Sequence, residues 1–367
     1  MLQLPLHVST LVPNPHYLLL AMAVVVGTLS LIIAFMLIYL LWKNQQGRKQ
    51  KEWQQQLAVA LQRAIYFETP ENSPPVIPLT FRTIRLLKKP AFRQLMIDEL
   101  LQAKKAFTGT AADNLVTLFH QLRLDELSLQ KLRSRKWHLK ARGIQELAVM
   151  HQQQHTKRIY RLTNAHHELV RMEAQSAIVQ LHGFEGLRFL DIVDHPISEW
   201  QQIKLLRLLS RTPGALPENT DRWLSSPNDS VVIFALKLVA EHQQQLLHGQ
   251  VATCLDHPHP LVRLQAVRCL KDIYTDDTSA VLEKAYDAQT LACKLAILET
   301  LGHIGSENNC IFLSQQLVHP DNSLKLAAAR ALVKTGGKGL QCLQEYPQAY
   351  MYPLNEIIQQ AKTEHTV

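Results

Sequence analysis

No Lys or Arg precedes Lys43, no cysteine precedes Cys254, and no established catalytic motif occurs anywhere in the 367 residues. Each absence excludes something. A secretory leader needs a basic start and a small-x-small cleavage pattern around a short apolar core, and the apolar run here has neither. A disulfide framework needs paired cysteines, whereas Cys254, Cys269, Cys293, Cys310 and Cys342 fall singly, mostly at positions that read as helical core. That usage fits buried thiols in a reducing compartment. Gly-x-x-x-x-Gly-Lys-Ser/Thr, Gly-x-Gly-x-x-Gly, Gly-x-Ser-x-Gly, His-Glu-x-x-His, Cys-x-x-Cys and acidic calcium loops are all missing. Thr335-Gly-Gly-Lys-Gly339 lacks phosphate-loop spacing and reads as a helix stop. The 17 histidines do not replace these motifs. His166 and His167, adjacent on a helix, diverge by about 100° and are poorly placed to share an ion. Those in His-Pro turns read as helix caps. The expectation is therefore a non-catalytic chain without cofactor or metal.

What is present first is a long apolar run, Tyr17 to Trp42, with no charged residue. Its core of about 24 residues would extend roughly 36 Å as a helix, enough to cross a ~30 Å hydrocarbon layer. Tyr17, Tyr39 and Trp42 stand near its ends, where amphipathic rings favour the interface. Lys43, Arg48, Lys49 and Lys51 follow directly and are the candidate contacts to anionic lipid headgroups. By the positive-inside rule the N-terminus lies outside and the remainder in the cytoplasm, at an inner (plasma) membrane. The expected organisation is a short external segment (1–16), the span (17–42), a juxtamembrane helix (43–68), a Pro-rich linker (69–78), a helical cap or degenerate repeats (79–135), the repeats proper (136–340) and a C-terminal cap helix and tail (341–367). In the juxtamembrane segment Trp53, Leu57, Leu61 and Ile65 recur every fourth residue, a pattern open to a stalk, a short coiled-coil seam or an interfacial helix.

Charge is uneven. Residues 43–143 hold 19 Lys or Arg against 8 Asp or Glu, while 144–367 hold 20 against 23. The net +8 of the chain therefore sits beside the predicted bilayer, a placement that favours lipid over nucleic acid as partner.

From Leu139 onward a beat of about thirty-one residues appears, marked by Leu139, Val170, Trp200, Val231, Val262, Cys293 and Leu324. Counted from each marker, apolar or small residues recur near positions 4, 8 and 11, as in Ala266, Leu270 and Ile273, which is one face of a helix. Pro196, Pro227, Pro258 and Pro320 each stand four residues before a marker, in a turn that ends a shorter apolar helix. Each beat is thus helix, proline turn, helix, and such a hairpin must stack on its neighbours to bury its stripe.

The segments Asp256–Ile273, Leu301-Gly-His-Ile-Gly305 and His319–Gly336 resemble the HEAT-repeat family, in the short bacterial form of the phycobilisome-lyase-type repeats. The resemblance implies an all-α, right-handed α-solenoid of HEAT-like helical hairpins behind an N-terminal transmembrane helix. It covers roughly residues 135–340 and specifies fold better than activity. The unit marked by Trp200, with Lys204, and the unit marked by Val231 depart from the repeat pattern.

Two polar sets remain. Position 1 carries Lys140, Arg171, Arg263, Lys294 and Lys325. It points about 100° from the marker, beside the packed face, so its heads are expected to pair with turn carbonyls or acidic groups such as Asp194, Asp256 and Asp287. Positions 6 and 10 face away from the core and place Lys237, Arg268, Asp272, Glu299, His303, Arg330 and Lys334 on one surface. That surface is the candidate partner-binding face, within which Lys237–Glu241 and Arg268–Asp272 have i,i+4 spacing. The functional expectation is a membrane-anchored scaffold or adaptor binding a cytoplasmic or membrane protein. The resemblance also leaves open a prosthetic-group lyase or chaperone, and a third reading is a nucleic-acid tether.

Overall fold

The computed structural model describes residues 15–68, 76–210, 214, 216, 217 and 219–366, and among them the chain forms helices and connections with no strand. Residues 1–14 of the expected external segment (1–16) and 69–75 of the expected linker lie outside the described residues. The chain divides into two compact units, Met1–Leu127 and Ser128–Val367.

The first unit opens with α1 (Pro15–Ile65), one continuous helix of 51 residues with no break at Trp42. Its Met22–Gln45 stretch is long and apolar enough to cross a membrane, and no other described part of the chain covers it. The two aliphatic hydroxyls in this stretch are satisfied within the helix: Thr28 donates to the Val25 carbonyl (2.9 Å) and Ser30 to the Val26 carbonyl (2.8 Å). Farther along, α1 turns amphipathic. Leu57, Ala60 and Ala64 are buried together with residues of α3 (Pro90–Ala106) and α4 (Thr110–Gln121), which follow the short α2 (Phe81–Leu86). Trp53 meets Phe92 edge to face at 5.5 Å. Of the fourfold stripe Leu57 is buried in this packing and Trp53, Leu61 and Ile65 are half-buried. Ile77, near the end of the expected linker, is buried and clamped by Gln121. Its N–H donates to Oε1 (2.9 Å) and its carbonyl accepts from Nε2 (3.0 Å).

The second unit is a run of seven hairpins, counted over the described residues. Their first helices are α5 (Asp125–Leu132), α7 (Thr156–Tyr160), a 3-10 run (Gly183–Asp191), α10 (Thr220–Leu224), α12 (His248–Thr253), α14 (Thr278–Ala285) and α16 (Cys310–Gln315). The second helices are α6 (Trp137–Val149), α8 (Glu168–His182), α9 (Glu199–Leu209), α11 (Asp229–Glu241), α13 (Pro260–Asp272), α15 (Leu291–Ile304) and α17 (Asn322–Thr335). α18 (Gly337–Glu345) and α19 (Leu354–Thr366) complete the chain, with α19 packing on α17 and burying Leu354, Ile358 and Ala361. This is an all-α, HEAT-like stack. The glycine cluster after α17 is the helix stop, since Gly336 takes φ +80°, which an L side chain rarely adopts.

The unit starts earlier than residue 136 because α5 supplies the first hairpin's first helix. Glu146 of α6 is 1% exposed and draws Lys131 (2.7 Å to Oε2) and Ser128 (2.6 Å) onto itself, with Arg142 one turn away (3.2 Å). A carboxylate so deeply buried is tolerable only with partners of this kind.

The beat also needs one correction. Val170, Val231, Val262, Cys293 and Leu324 are buried, but Trp200 is 69% exposed. In those five helices the marker is the third helical residue. α9 begins at Glu199 behind its Ser198 cap, so its third residue is Gln201, and Gln201 and Gln202 are the buried ones. The departing unit is thus out of phase by one residue, and the aromatic ring faces solvent.

α15 and α17 approach closely where Gly302 faces Ala331: a Cβ at Gly302 would lie 2.7 Å from the Ala331 Cα. Gly302→Ala is expected to force the two helices apart and destabilise the unit by about 1–3 kcal/mol, seen as a lower urea midpoint with an unchanged slope.

Candidate partner-binding groove

Burial of positions 0, 4 and 8 in α13, α15 and α17 turns their opposite faces to one side, and between these faces lies a groove of about 850 Å³. Its floor is apolar, with Leu264, Leu295, Ala296, Leu326 and Ala327, and its walls carry Arg268, Lys271, Asp272, Glu299, Arg330 and Lys334. The structure thus brings together Arg268, Asp272, Glu299, Arg330 and Lys334 of the candidate face. Lys237 lines an adjoining shallower recess of about 420 Å³ with Glu241 and Asp272. His303 is exposed and lines neither.

The charges on this face pair between helices, not along them. Lys271 donates to Glu299 of the next helix (2.8 Å), and that bond, with the fields of Lys271, Lys334 and Arg268, holds the Glu299 carboxyl below the ordinary carboxylate range despite an opposing effect of burial. Arg330 forks onto Glu364 of α19 through two bonds (2.6 and 2.8 Å). Lys237 donates to the Gln202 side chain (2.9 Å), and burial lowers its pKa. Neither expected i,i+4 pair, Lys237–Glu241 nor Arg268–Asp272, forms an ion pair among the described residues; Lys237 takes a partner across the stack instead. Lys271 was not on the predicted face. It stands at position 9, and the groove is wider than positions 6 and 10 suggest.

The position-1 ladder is structural. Arg171 donates to the Ala165 and His166 carbonyls (2.8 and 3.1 Å), and Arg263 to those of His257 and Pro258 (2.8 and 2.9 Å). In the phase-shifted unit Gln202 takes the same place and donates to Ile197 (3.1 Å). For Arg171 and Arg263 the partners are turn carbonyls, with the Gln289 side chain added for Arg263 (3.0 Å), and not Asp194, Asp256 or Asp287. Lys294 instead lies over the Tyr286 ring, 5.1 Å from its centre.

Of the turn histidines, His259 caps α13, its Nδ1 accepting from the Leu261 N–H (3.2 Å); His319 Nδ1 accepts from the N–H of Asp321 (3.0 Å), and Asp321 is the residue that caps α17. Among the described residues no three His, Cys, Asp or Glu side chains gather where a metal ion could be held. Cys254, Cys269, Cys293 and Cys310 are buried, and burial pushes the Cys254 thiol up to about 11 and Cys269 to about 12, far from a reactive thiolate. Of the candidate lipid contacts, Lys43 extends its ammonium over the Tyr39 ring (6.0 Å) and Lys51 is exposed. The side chains of Arg48 and Lys49 lie outside the described residues.

No family model matches the chain, and no curated protein matches it. Solved structures do. An engineered protein matches at 13% identity over 76% of this chain and 86% of its own, with a TM-score of 0.37. The phycocyanin lyase complex of Nostoc matches at 14% identity over 77% and 98%, with a TM-score of 0.27. Human deoxyhypusine hydroxylase, in complex with glycerol, matches at 15% over 75% and 98%, with a TM-score of 0.29. Likenesses of this grade concern the helical fold alone and say nothing of activity.

The Lys271–Glu299 bond has a measurable consequence. A carboxyl with a depressed pKa adds stability that is complete above its unfolded value and lost as pH falls through the folded one. The Glu299 carboxyl is therefore expected to titrate below the ordinary carboxylate value by NMR and to move up towards it in Lys271→Ala.

Proposed function

We propose that the chain is a single-pass, N-out inner-membrane protein whose cytoplasmic HEAT-like stack is a non-catalytic adaptor for a protein partner. The observation that carries this reading is the groove on α13, α15 and α17, where an apolar floor lies between charged walls on the face the stack leaves open. Arg268 and Lys334 on those walls have no ion-pair partner among the described residues. They suit an acidic segment whose apolar side chains settle on the floor. For the anchor, the support is physical. A helix apolar on every side needs an apolar surround, and no described residue provides one for Met22–Gln45. Tethering confines the partner to the bilayer and raises its effective concentration there without a new contact.

The test is an affinity purification of the full chain from gently solubilised membranes. Arg268→Glu/Arg330→Glu/Lys334→Glu is expected to recover the partner at least about tenfold less well than the wild type, since like charges set against each other cost several kcal/mol. The variant must keep wild-type helicity for the comparison to count. Equal recovery would remove the groove as the binding face. A coloured ligand in place of a stoichiometric protein would point to the prosthetic-group reading. Release of the wild-type chain from membranes by alkaline carbonate would overturn the anchor.

A further inference from the structure

We infer that the short helical turn from Phe81 to Lys88 is a second membrane contact, a docking patch for an anionic bilayer surface at the foot of the first unit. This rests on the anchor reading and adds a site to it.

The path of the chain along α1 places the patch. The Pro78 carbonyl accepts from Arg63 (3.4 Å), Thr80 donates to Gln56 (3.3 Å), and Arg82 pairs with Glu52. Between residues 78 and 82 the backbone therefore descends α1 by eleven residues, about 16 Å at 1.5 Å per residue, towards the apolar span. It then reverses. The Lys89 ammonium lies 5.7 Å from the Trp53 ring centre, and Phe92 packs on that same ring as α3 departs. The reversal is the part of the unit that comes nearest to the span among these contacts.

What it shows to solvent is unlike an ordinary loop tip. Thr83 points inward and is buried, while Phe81 is 82% exposed and Ile84 51%. Arg85 and Lys88 are exposed beside them; Phe81, Ile84 and Arg85 share one face of α2, and Lys88 follows in the turn after it. Two bare apolar side chains flanked by two cations are the composition of an interfacial contact, not of a solvated turn. Distance permits it. Glu52 follows Gln45 by seven residues, about 10 Å along α1, and headgroups extend roughly 5–7 Å beyond the hydrocarbon. The side chains of α2 cover the remainder. Each basic residue near an anionic surface favours the docked state by about fivefold.

The test uses the full chain with Cys342→Ser, which leaves only buried thiols, and a bimane probe on an introduced cysteine. It is reconstituted in phosphatidylcholine vesicles with or without phosphatidylglycerol, with spin-labelled headgroups as quencher. A Phe81→Cys probe is expected to be quenched in the anionic vesicles, whereas a Tyr66→Cys probe at the far end of α1 is not. Adding Arg85→Glu/Lys88→Glu should weaken the docked state about 25-fold and remove most of the quenching of the Phe81→Cys probe. Equal, weak quenching of the Phe81→Cys and Tyr66→Cys probes overturns the patch. A Leu31→Cys probe with an acyl-chain quencher separates the two readings, because it stays quenched if only the patch is wrong and is silent if the anchor itself is wrong. Shielding of the Phe81→Cys probe by added oligonucleotide, without any effect of phosphatidylglycerol, would also overturn the lipid assignment.

Discussion

The repeat unit cannot bury its own apolar stripe, and most of the second unit follows from that one constraint. A second helix such as α15 carries Cys293, Ile297 and Leu301 at zero exposure only because α13 and α17 flank it. Stacking in register then puts equivalent residues of successive helices side by side. Between neighbouring second helices Gly302 comes close to Ala331, and Lys271 reaches Glu299. The groove is the remainder of the same geometry, since a helix packed on both sides has only one free face for charge.

Turn carbonyls impose the second requirement. Each hairpin ends its first helix in a short turn whose carbonyls point away from any helix ladder, and a buried carbonyl without a donor is costly. Arg171 and Arg263 answer this by reaching back five and six residues into their own turns. Gln202 does so with a neutral amide. The two arginines of the basic ladder are thereby engaged within their own repeats, whereas Arg268 and Lys334, at positions 6 and 10, have no ion-pair partner among the described residues.

Much of this was legible in the sequence for a physical reason: helical burial imposes a period, and the period survives in the residues. The thirty-one-residue beat, the proline turns and the outward face of Arg268, Asp272, Glu299, Arg330 and Lys334 all follow from counting. What counting missed depends on where a helix starts or on what lies across from it. Trp200 fits the spacing within one residue and is apolar, yet the Ser198 cap sets the first turn of α9 so that Gln201 faces inward. Lys237 has Glu241 one turn away, yet its ammonium goes to Gln202 of the preceding second helix. The reversal at Phe81–Lys88 has no period at all, and its exposure is set by contacts with Glu52, Trp53 and Gln56 far away in sequence.

The slipped register also explains a discontinuity in the core. The buried apolar residues of the second unit form two clusters, one from Leu132 to Leu181 and one from Val179 to Ala361. Between α8 and α9 the contact is polar instead: Gln201 donates to the Met172 carbonyl (3.0 Å), the Ser176 hydroxyl (3.3 Å) and the Gln175 side chain (3.4 Å). The Gln201 Oε1 is buried without any hydrogen-bond partner. Had Trp200 occupied the marker position, its ring would have joined the two clusters; with glutamine there, the seam gains directional bonds and loses apolar area. A seam of that kind is weaker than its neighbours, because an amide bond contributes about 1 kcal/mol net and an unsatisfied buried oxygen costs about as much or more. The hairpins that carry the groove all lie on one side of it, in the larger cluster, so the candidate face is built on the most continuously packed part of the stack.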